Sequence, residues 1–134
     1  MIFEDVYPHD IFANEAGVVL KSLNDEGAVM ELKIERRHLN GGGAAHGGAI
    51  FLLTDITMAA IANHFQLGSV SIQSDIRFLA AAKEGDTLTA TAVEVFGRKN
   101  LFNSRVSVTN QNGDMIAIAE GLYYRKRDFT VAKK

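Results

Sequence analysis

The chain has 134 residues, 47% of them hydrophobic, which fits one globular domain over residues 1–134 and excludes a second domain. Its 14 basic and 16 acidic residues give a net charge of −2, which excludes a global electrostatic field that would attract nucleic acid or an acidic membrane. No cysteine is present, which excludes a disulfide framework and a thiol nucleophile, and the N-terminus lacks the long apolar core of a signal peptide, so we expect a cytoplasmic protein.

Alternating hydrophobicity predicts a strand hairpin near the N-terminus. Apolar and polar residues alternate from Ala28 to Glu35, which is typical of a half-buried strand. The segment Val18–Leu23 is expected to pair with it across a turn at residues 24–27. A loop with three consecutive glycines, Gly41–Gly43, follows the hairpin and leads to the next predicted element.

The segment Ala49–Asn63 predicts a buried helix. Eleven of its fifteen residues are apolar and lie on every face, so we expect a helix that is covered all round rather than a surface helix. It is too short for a membrane span, which needs about 20 residues, and it carries Asp55 at its centre. We therefore expect no association with a membrane.

The second half of the chain predicts four consecutive antiparallel strands. Turn signals lie at residues 83–86, at residues 97–100 and at Asn112-Gly113, which is a strong hairpin signal. The strands between these turns are Val70–Leu79, Leu88–Val95, Leu101–Thr109 and Met115 to about Tyr124. Only a sheet that wraps around the helix covers every face of so apolar a helix. The sequence therefore predicts an α+β fold, with a curved antiparallel β-sheet wrapped around one long buried helix.

Asp55 is the most unusual residue of the predicted helix. A carboxylate is almost never fully buried without a partner, because unpaired burial costs several kcal/mol or raises the pKa until the group takes a proton. A catalytic role explains such a residue, and so does a structural role in which Asp55 caps or pairs with a neighbouring strand. The residues that precede the helix favour the catalytic role.

The residues from Asn40 to Asp55 form a motif, N-G-G-G-A-A-H-G-G-A-I-F-L-L-T-D. The motif resembles the signature of the hotdog-fold acyl-CoA thioesterases, in particular their PaaI-like branch of phenylacetate degradation, at Asn40, Gly43, His46-Gly47-Gly48 and Asp55. The resemblance covers most of the chain, from about residue 12 to residue 124. It implies the hotdog fold, acyl-CoA as the substrate, and active sites at the interface of a homodimer or of a dimer-of-dimers tetramer.

Gly47 and Gly48 lie where the helix begins, so their backbone N–H groups are unpaired and the helix dipole is positive there. Such a place binds an oxyanion, and the absence of a Cβ lets a thioester carbonyl approach the backbone closely. We expect the Gly47 N–H to be the oxyanion donor and Gly48 to contact the substrate. Alternatively, the glycines only permit a tight turn into the helix, which is the preferred interpretation for Gly41 and Gly42.

Helix geometry separates Gly47 from Asp55. The two residues are eight positions apart, which is about 12 Å along one helix, so they cannot both touch one carbonyl. If both act on the same thioester, Gly47 of one subunit faces Asp55 of another, and two-fold symmetry then creates two equivalent sites. The family resemblance implies this arrangement.

The other roles at the site stay open between alternatives. Asp55 acts as a general base on water, or it attacks the thioester itself. The resemblance places Asn40 near the thioester and the catalytic water, although an Asn also suits a turn. His46 is a candidate base, but it precedes the same helix as Asp55, so orienting the loop suits it better. The remaining histidines form no ligand spacing, and we expect neither a metal nor a cofactor.

The chain departs from the family pattern at two places. Ala59 stands where several relatives have a hydroxyl residue, and Ala80-Ala81 replaces an Arg-Pro pair that offers a contact to CoA. The adjacent cations Arg98 and Lys99 are therefore candidates for binding the nucleotide phosphates of CoA, unless they only form a solvated hairpin tip. A terminal cluster, Arg125–Arg127, is a further candidate, although a basic tail is often merely solvated.

The resemblance predicts a thioesterase that hydrolyses acyl-CoA to a free acid and CoA. Phe51 and the other apolar residues of the helix are candidates for lining an aromatic or medium-chain acyl pocket, although packing alone also requires them. The alternatives are a hotdog hydratase or dehydratase that acts on acyl thioesters, and a non-catalytic acyl-CoA-binding protein. Asp55 argues against the last, because a binding protein needs no acid in the helix.

Overall fold

A six-stranded antiparallel sheet curves around one long helix in the computed structural model, which describes residues 1–126. In chain order the elements are the helices α1 (Phe3–Val6) and α2 (Ile11–Ala16), the strands β1 (Val19–Asn24) and β2 (Gly27–Lys33), the helix α3 (Gly47–Phe65), and the strands β3 (Ser69–Phe78), β4 (Thr87–Gly97), β5 (Leu101–Thr109) and β6 (Met115–Arg125). The predicted order of the strands and of the long helix is confirmed.

The two short N-terminal helices are absent from the sequence prediction. With four and six residues, α1 and α2 are too short to show a helical period. The ends of α2 nevertheless carry local signals. The Asp10 carboxylate accepts the Ala13 N–H at 2.9 Å as an N-cap, and Gly17 ends the helix in the left-handed region with a φ of 96°. Both helices pack against α3 and cover one side of it.

The strands lie in the order β1-β2-β4-β5-β6-β3, so α3 connects β2 to a strand at the opposite edge of the sheet. The helix packs on the middle strands β2, β4 and β5, where the curvature of the sheet brings their inner faces around it. The core between helix and sheet is apolar, and its largest fully buried side chains include Tyr123, Phe102, Met30, Leu32, Leu53, Met58, Ile61 and Leu88.

One face of α3 remains partly exposed in the single chain. Gly48, Leu52, Asp55 and Ala59 follow the spacing of one helix face, and none of them is fully buried. We call these four residues the open stripe. The prediction of a helix buried on every face is therefore wrong for a single chain, because the curved sheet and the N-terminal helices leave this face uncovered.

The length of α3 also differs from the prediction. The helix has 19 residues and a window of mean hydropathy 1.3, so by length and composition alone it is long enough to cross a membrane, and the prediction that it is too short is wrong. The helix nevertheless packs inside the fold, because half of this window is buried against the sheet. Such burial is typical of the core helix of a domain.

β3 is an edge strand with unusually exposed apolar side chains. Within residues 1–126 its neighbour in the sheet is β6, and its other edge is free. Val70, Ile72 and Phe78 are 37%, 55% and 53% exposed, and a register shift between Ser71 and Gln73 interrupts the alternation, so Val70 lies on the outer face with Tyr124 and Phe78 on the inner face with Ala117. A free edge with exposed apolar side chains is a template for pairing with another chain.

Candidate active site

The start of α3 is held by the side chain of His46. His46 is the N-cap residue, and the Gly48 N–H donates to its Nδ1 at 2.8 Å. Because an accepting imidazole nitrogen carries no proton, the ring proton of a neutral His46 is on Nε2. The backbone N–H of His46 donates to the His38 carbonyl at 2.7 Å, which ties the loop to the preceding turn. His46 therefore positions the helix start, as expected for a residue that orients the loop.

Gly47 presents the free N–H group of this helix start. The N–H of Gly48 is taken by His46, whereas the Gly47 N–H has no acceptor within residues 1–126. Gly47 rather than Gly48 therefore offers a backbone donor to a ligand. A Cβ at position 47 would lie 3.3 Å from Cζ of Phe78, so a larger residue here would fill the space beside the free N–H.

Asn40 organises the glycine loop through its side-chain oxygen. Its Oδ1 accepts the N–H groups of Gly42 at 2.9 Å and Ala44 at 3.1 Å, which confirms the turn-forming interpretation. Since these donors fix Oδ1, the amide nitrogen Nδ2 points away from the turn, and it has no acceptor in the described part of the chain. Asn40 is thus a turn residue that also presents a free donor.

Asn40 and Gly47 line the same cavity, of about 360 Å³, which we call the Asn40 cavity. Its remaining walls are apolar and come from α3, from the end of β3 and from the connection to β4. Ala80 and Ala81 lie on this wall and add no charge to it. The structure thus brings two of the predicted site residues together on one side of the helix start.

Asp55 carries an unpaired carboxylate in the middle of the open stripe. Within residues 1–126 its side chain has no hydrogen bond and no ion pair, so the alternative in which it pairs with a strand is not supported. Partial burial raises the pKa of the Asp55 carboxyl above its ordinary range, and the negative charge of Asp10 raises it further. The Tyr123 hydroxyl donates to the Asp55 backbone carbonyl at 3.1 Å and holds the helix at this point.

Gly47 and Asp55 are not brought together within one chain. Both belong to the same uninterrupted helix, so they lie about 12 Å apart along its axis and about 80° apart around it. Gly47 faces the end of β3 through Phe78, whereas Asp55 belongs to the open stripe. Phe51 lies between them and is itself partly exposed.

Two groups of basic residues that are separate in the sequence meet at one corner of the molecule. Arg98 and Lys99 are exposed in the turn between β4 and β5, as predicted. Arg125, at the end of β6, donates from Nη1 to the Arg98 carbonyl at 2.9 Å, and Lys126 follows it. We call these four residues the basic corner. Arg127, the third residue of the predicted terminal cluster, lies outside the described residues.

The basic corner adjoins the C-terminal end of α3. The Arg125 guanidinium lies over the Phe102 ring, 5.3 Å from its centroid, and the Phe65 ring packs 5.7 Å from the same ring. Phe65 is the last residue of α3 and lies about 15 Å along the helix axis from Asp55, so the basic corner adjoins the end of the helix opposite Gly47. The sequence does not reveal this convergence, since it depends on the pairing of β5 with β6.

A curved antiparallel sheet around a helix, with a free N–H at the helix start and an unpaired carboxylate two turns later, defines a hotdog-fold protein with a candidate thioester site. Residues 42–117 match the family model of the thioesterase superfamily, and the chain belongs to this family. The resemblance that the motif carries is thereby confirmed.

Three relatives place the chain within the family. Acyl-coenzyme A thioesterase PaaI of Escherichia coli is 31% identical over 120 residues, which cover 90% of this chain and 86% of the relative. The PaaI structure has a TM-score of 0.87 at 29% identity and covers 92% of this chain and 90% of its own. Mouse acyl-coenzyme A thioesterase 13 is 33% identical over 75% of this chain and 74% of its own length. A Streptococcus pneumoniae thioesterase protein solved with coenzyme A has a TM-score of 0.80 at 28% identity, covering 96% of this chain and 99% of that one.

Proposed function

We propose that this chain is an acyl-CoA thioesterase whose active site is formed by Gly47 of one protomer and Asp55 of its partner. The observation that carries the proposal is the pair of unsatisfied groups on α3. A free N–H suits a developing oxyanion and an unpaired carboxylate suits a base or a nucleophile, yet the two lie about 12 Å apart in one chain. Family membership and the named relatives support thioester hydrolysis as the reaction.

In the proposed reaction, the oxygen of water forms a bond to the thioester carbonyl carbon and the carbon–sulfur bond breaks, which releases the free acid and the thiol of CoA. The Gly47 N–H and Nδ2 of Asn40, which belong to residues that line one cavity, stabilise the negative charge on the carbonyl oxygen. Asp55 either takes the proton from the attacking water or attacks first and forms an anhydride that water then hydrolyses. Both routes require the ionised carboxylate.

The free edge of β3 supports the assembly. Two β3 strands that pair antiparallel about a two-fold axis extend the sheet across both protomers and cover Val70 and Ile72. The α3 helices then lie side by side and antiparallel, with their open stripes together. The midpoint between residues 47 and 55 is Phe51. When the two-fold axis passes near Phe51, Gly47 of each protomer faces the mid-helix carboxylate of its partner. This geometry creates two equivalent sites, one on each side of the axis.

The same arrangement gives the basic corner a role in CoA binding. The start of one α3 faces the middle of the partner helix, so the Asn40 cavity of one protomer opens toward the C-terminal half of its partner's α3 and the basic corner beside it. When the thioester lies between Gly47 and the partner's carboxylate, the pantetheine arm of CoA therefore extends toward the four cations of the basic corner. Cations of this kind bind the phosphates of the nucleotide.

The activity is tested by incubating the protein with a series of acyl-CoA esters and detecting the free thiol. We expect thiol release, with loss of the thioester absorbance at the same rate. Water addition to an enoyl-CoA without thiol release would identify a hydratase. Saturable acyl-CoA binding without either reaction would identify a binding protein, and both outcomes would contradict the proposal.

Replacing both Arg98 and Lys99 with Ala is expected to raise KM for acyl-CoA roughly tenfold, because charge-assisted contacts to phosphate are lost. The salt dependence of KM should weaken as well, since fewer ionic contacts remain to be screened. Hydrolysis of a short acyl-pantetheine thioester, which has no nucleotide, provides the comparison. As a control, the exposed cations Lys21 in β1 and Lys33 at the end of β2 are replaced in the same way. Equal losses on acyl-CoA and acyl-pantetheine would contradict a phosphate contact.

Replacing Asn40 with Ala is expected to slow hydrolysis by roughly one to two powers of ten, about 1.4 kcal/mol per tenfold. That variant also loses the turn, because Oδ1 holds two backbone N–H groups. Asn40→Asp separates the two roles, since a carboxylate keeps the acceptor for the turn and lacks the Nδ2 donor. We expect the Asp variant to melt near the wild-type temperature and to be at least as slow as the Ala variant. Wild-type turnover in folded Asn40→Asp would exclude a donor role for Nδ2.

A further inference from the structure

A second cavity, of about 450 Å³, opens between α2 and α3 on the other side of the helix start. We call it the α2 cavity. It is lined mainly by apolar side chains, among them Phe12, Leu39, Ala49 and Leu52. We infer that the α2 cavity receives the acyl group of the substrate, that it selects an uncharged apolar acyl group, and that it belongs to the protomer that supplies Asp55. This inference rests on the proposed thioesterase function and names the acyl specificity of that site.

The position of the cavity on α3 connects it to Asp55. Gly48 and Leu52 line it, and both belong to the open stripe. In this stripe Gly48, Leu52 and Asp55 occupy positions i, i+4 and i+7 of one helix face. Leu52 lies three residues before Asp55, about 4.5 Å along the helix axis. A thioester carbonyl at the Asp55 carboxylate therefore has the α2 cavity beside it in the same protomer, whereas the Asn40 cavity lies on the other side of the helix start.

The walls of the cavity are held by hydrogen bonds and do not depend on a ligand. The buried His38 ring accepts the Glu35 N–H on Nδ1 at 2.9 Å, and its Nε2 lies 2.7 Å from the Ala16 carbonyl. These bonds join the end of α2 to the turn before the glycine loop and satisfy a carbonyl at the helix end. A preformed cavity of this volume lies within the range of about 300–1,000 Å³ that is usual for small-molecule sites.

The charges at the cavity argue against an acyl group that ends in a carboxylate. Arg37 lines the cavity, but its guanidinium already donates to the carbonyl groups of Glu15 and Ala16 and to the Glu35 carboxylate, the last at 3.0 Å. Glu15, an exposed acidic residue, also lines the cavity. With its cation committed and an acid beside it, the cavity offers a terminal carboxylate no free guanidinium or ammonium group, and the Nε2 N–H of a neutral His46, which also lines it, is a donor without a charge, so burying a carboxylate there would be costly.

The specificity is tested by the ratio of kcat/KM for decanoyl-CoA to kcat/KM for acetyl-CoA. Phe12 is 72% exposed at the mouth of the cavity, so Phe12→Ala removes a contact to a long acyl group with little effect on the core. We expect this variant to lower the ratio about tenfold. Ile11, the neighbouring residue of α2, is 49% exposed and does not line the cavity, so Ile11→Ala is the matched control and should leave the ratio within about twofold. The wild type should also hydrolyse glutaryl-CoA much more slowly than decanoyl-CoA.

Mixed dimers test which protomer supplies the cavity. In the first, one chain carries Asp55→Asn with Leu52→Trp and the other carries Gly47→Val. In the second, one chain carries Asp55→Asn and the other carries Gly47→Val with Leu52→Trp. Each dimer has one intact pair of Gly47 and Asp55, and both contain the same three substitutions. We expect the first to keep the wild-type ratio, because its working site has an unfilled cavity, and the second to lose preference for decanoyl-CoA.

The opposite pattern in the two mixed dimers would overturn the assignment of the cavity to the Asp55 protomer. An unchanged ratio in Phe12→Ala, or efficient hydrolysis of glutaryl-CoA, would overturn the acyl specificity while the thioesterase function stands. If the wild type released no thiol from any acyl-CoA, the proposed function itself would fail and the inference would fall with it.

Discussion

Asp55→Asn is expected to lower kcat for acyl-CoA by about 10²-fold or more, the scale of a lost general base or nucleophile. The amide is close to the carboxyl in size but neither takes a proton nor attacks a thioester. Because the Asp55 side chain has no hydrogen bond or ion pair within residues 1–126, the substitution removes no structural contact there. Steady-state thiol release measures the loss, and Glu84→Gln, at an exposed carboxylate in the turn before β4, is the control. Near-normal turnover in a folded Asn variant would sink the assignment.

The pH dependence of the wild type provides a second measurement on the same residue. Burial, followed by the charge of Asp10, raises the pKa of the Asp55 carboxyl, and the reaction needs the ionised form. The rate should therefore fall with decreasing pH through a limb that lies above the ordinary aspartate range. In Asp55→Asn the small residual rate should lack this limb. A limb that persisted unchanged in the variant would belong to another group.

As pH rises, the stability of the fold should decrease while the activity increases. A carboxyl whose pKa is higher in the folded than in the unfolded chain leaves the folded state with more bound protons between those two pKa values, so stability falls as pH rises through that window. Above the window the ionised Asp55 destabilises the fold. The Asn variant removes this effect, and at neutral pH it should melt at the same temperature as the wild type or higher. A marked loss of stability would instead indicate a structural role for the carboxylate.

The strands and the long helix are predictable because each has a local signal. Alternation from Ala28 to Glu35 identifies β2, and the apolar run around Asp55 identifies α3. The position of β3 beside β6 has no such signal, since it depends on which edge of the sheet the chain reaches after α3. The short helix α2 is marked only by its caps, Asp10 and Gly17, which a reading based on periodicity overlooks.

At the candidate site, the sequence predicts residues but not the state of their hydrogen-bonding groups. Gly47 and Gly48 both lie at the predicted helix start, and only the rotamer of His46 decides that the N–H of Gly48 is occupied. The amide of Asn40 is likewise oriented by two N–H groups of its own loop. These outcomes depend on side-chain geometry, which residue spacing does not encode.

The open stripe shows why composition overestimates the burial of α3 in a single chain. Leu52 and Ala59 are apolar, and composition alone assigns them to the core of a single chain. Composition does not distinguish a surface that a sheet covers from one that a second protomer covers, because both require the same residue types. The partial exposure of these residues around an unpaired carboxylate is therefore an argument for assembly, and assembly can be tested directly.

Mixing two inactive variants, Asp55→Asn and Gly47→Val, under conditions that allow subunit exchange is expected to restore activity. The valine side chain fills the space beside Phe78 where the oxyanion would lie. In the mixed dimer one site collects both defects while the other has an intact Gly47 and an intact Asp55 from different chains, so each mixed dimer should reach about half of the wild-type rate. Thiol release is measured together with the fraction of mixed dimers, determined by mass spectrometry of differently tagged chains.

The matched control places both substitutions on one chain and mixes it with the wild type. If sites are shared between protomers, each mixed dimer then has one defect in each site, and an excess of the double variant should drive the wild-type activity toward zero. If Gly47 and Asp55 served a site within one chain, the results would be reversed: the two single variants would not rescue each other, and the wild-type chain would keep its activity beside the double variant. Because the two arrangements predict opposite outcomes in both mixtures, misfolding of the valine variant cannot imitate the shared site, since a misfolded chain would rescue nothing.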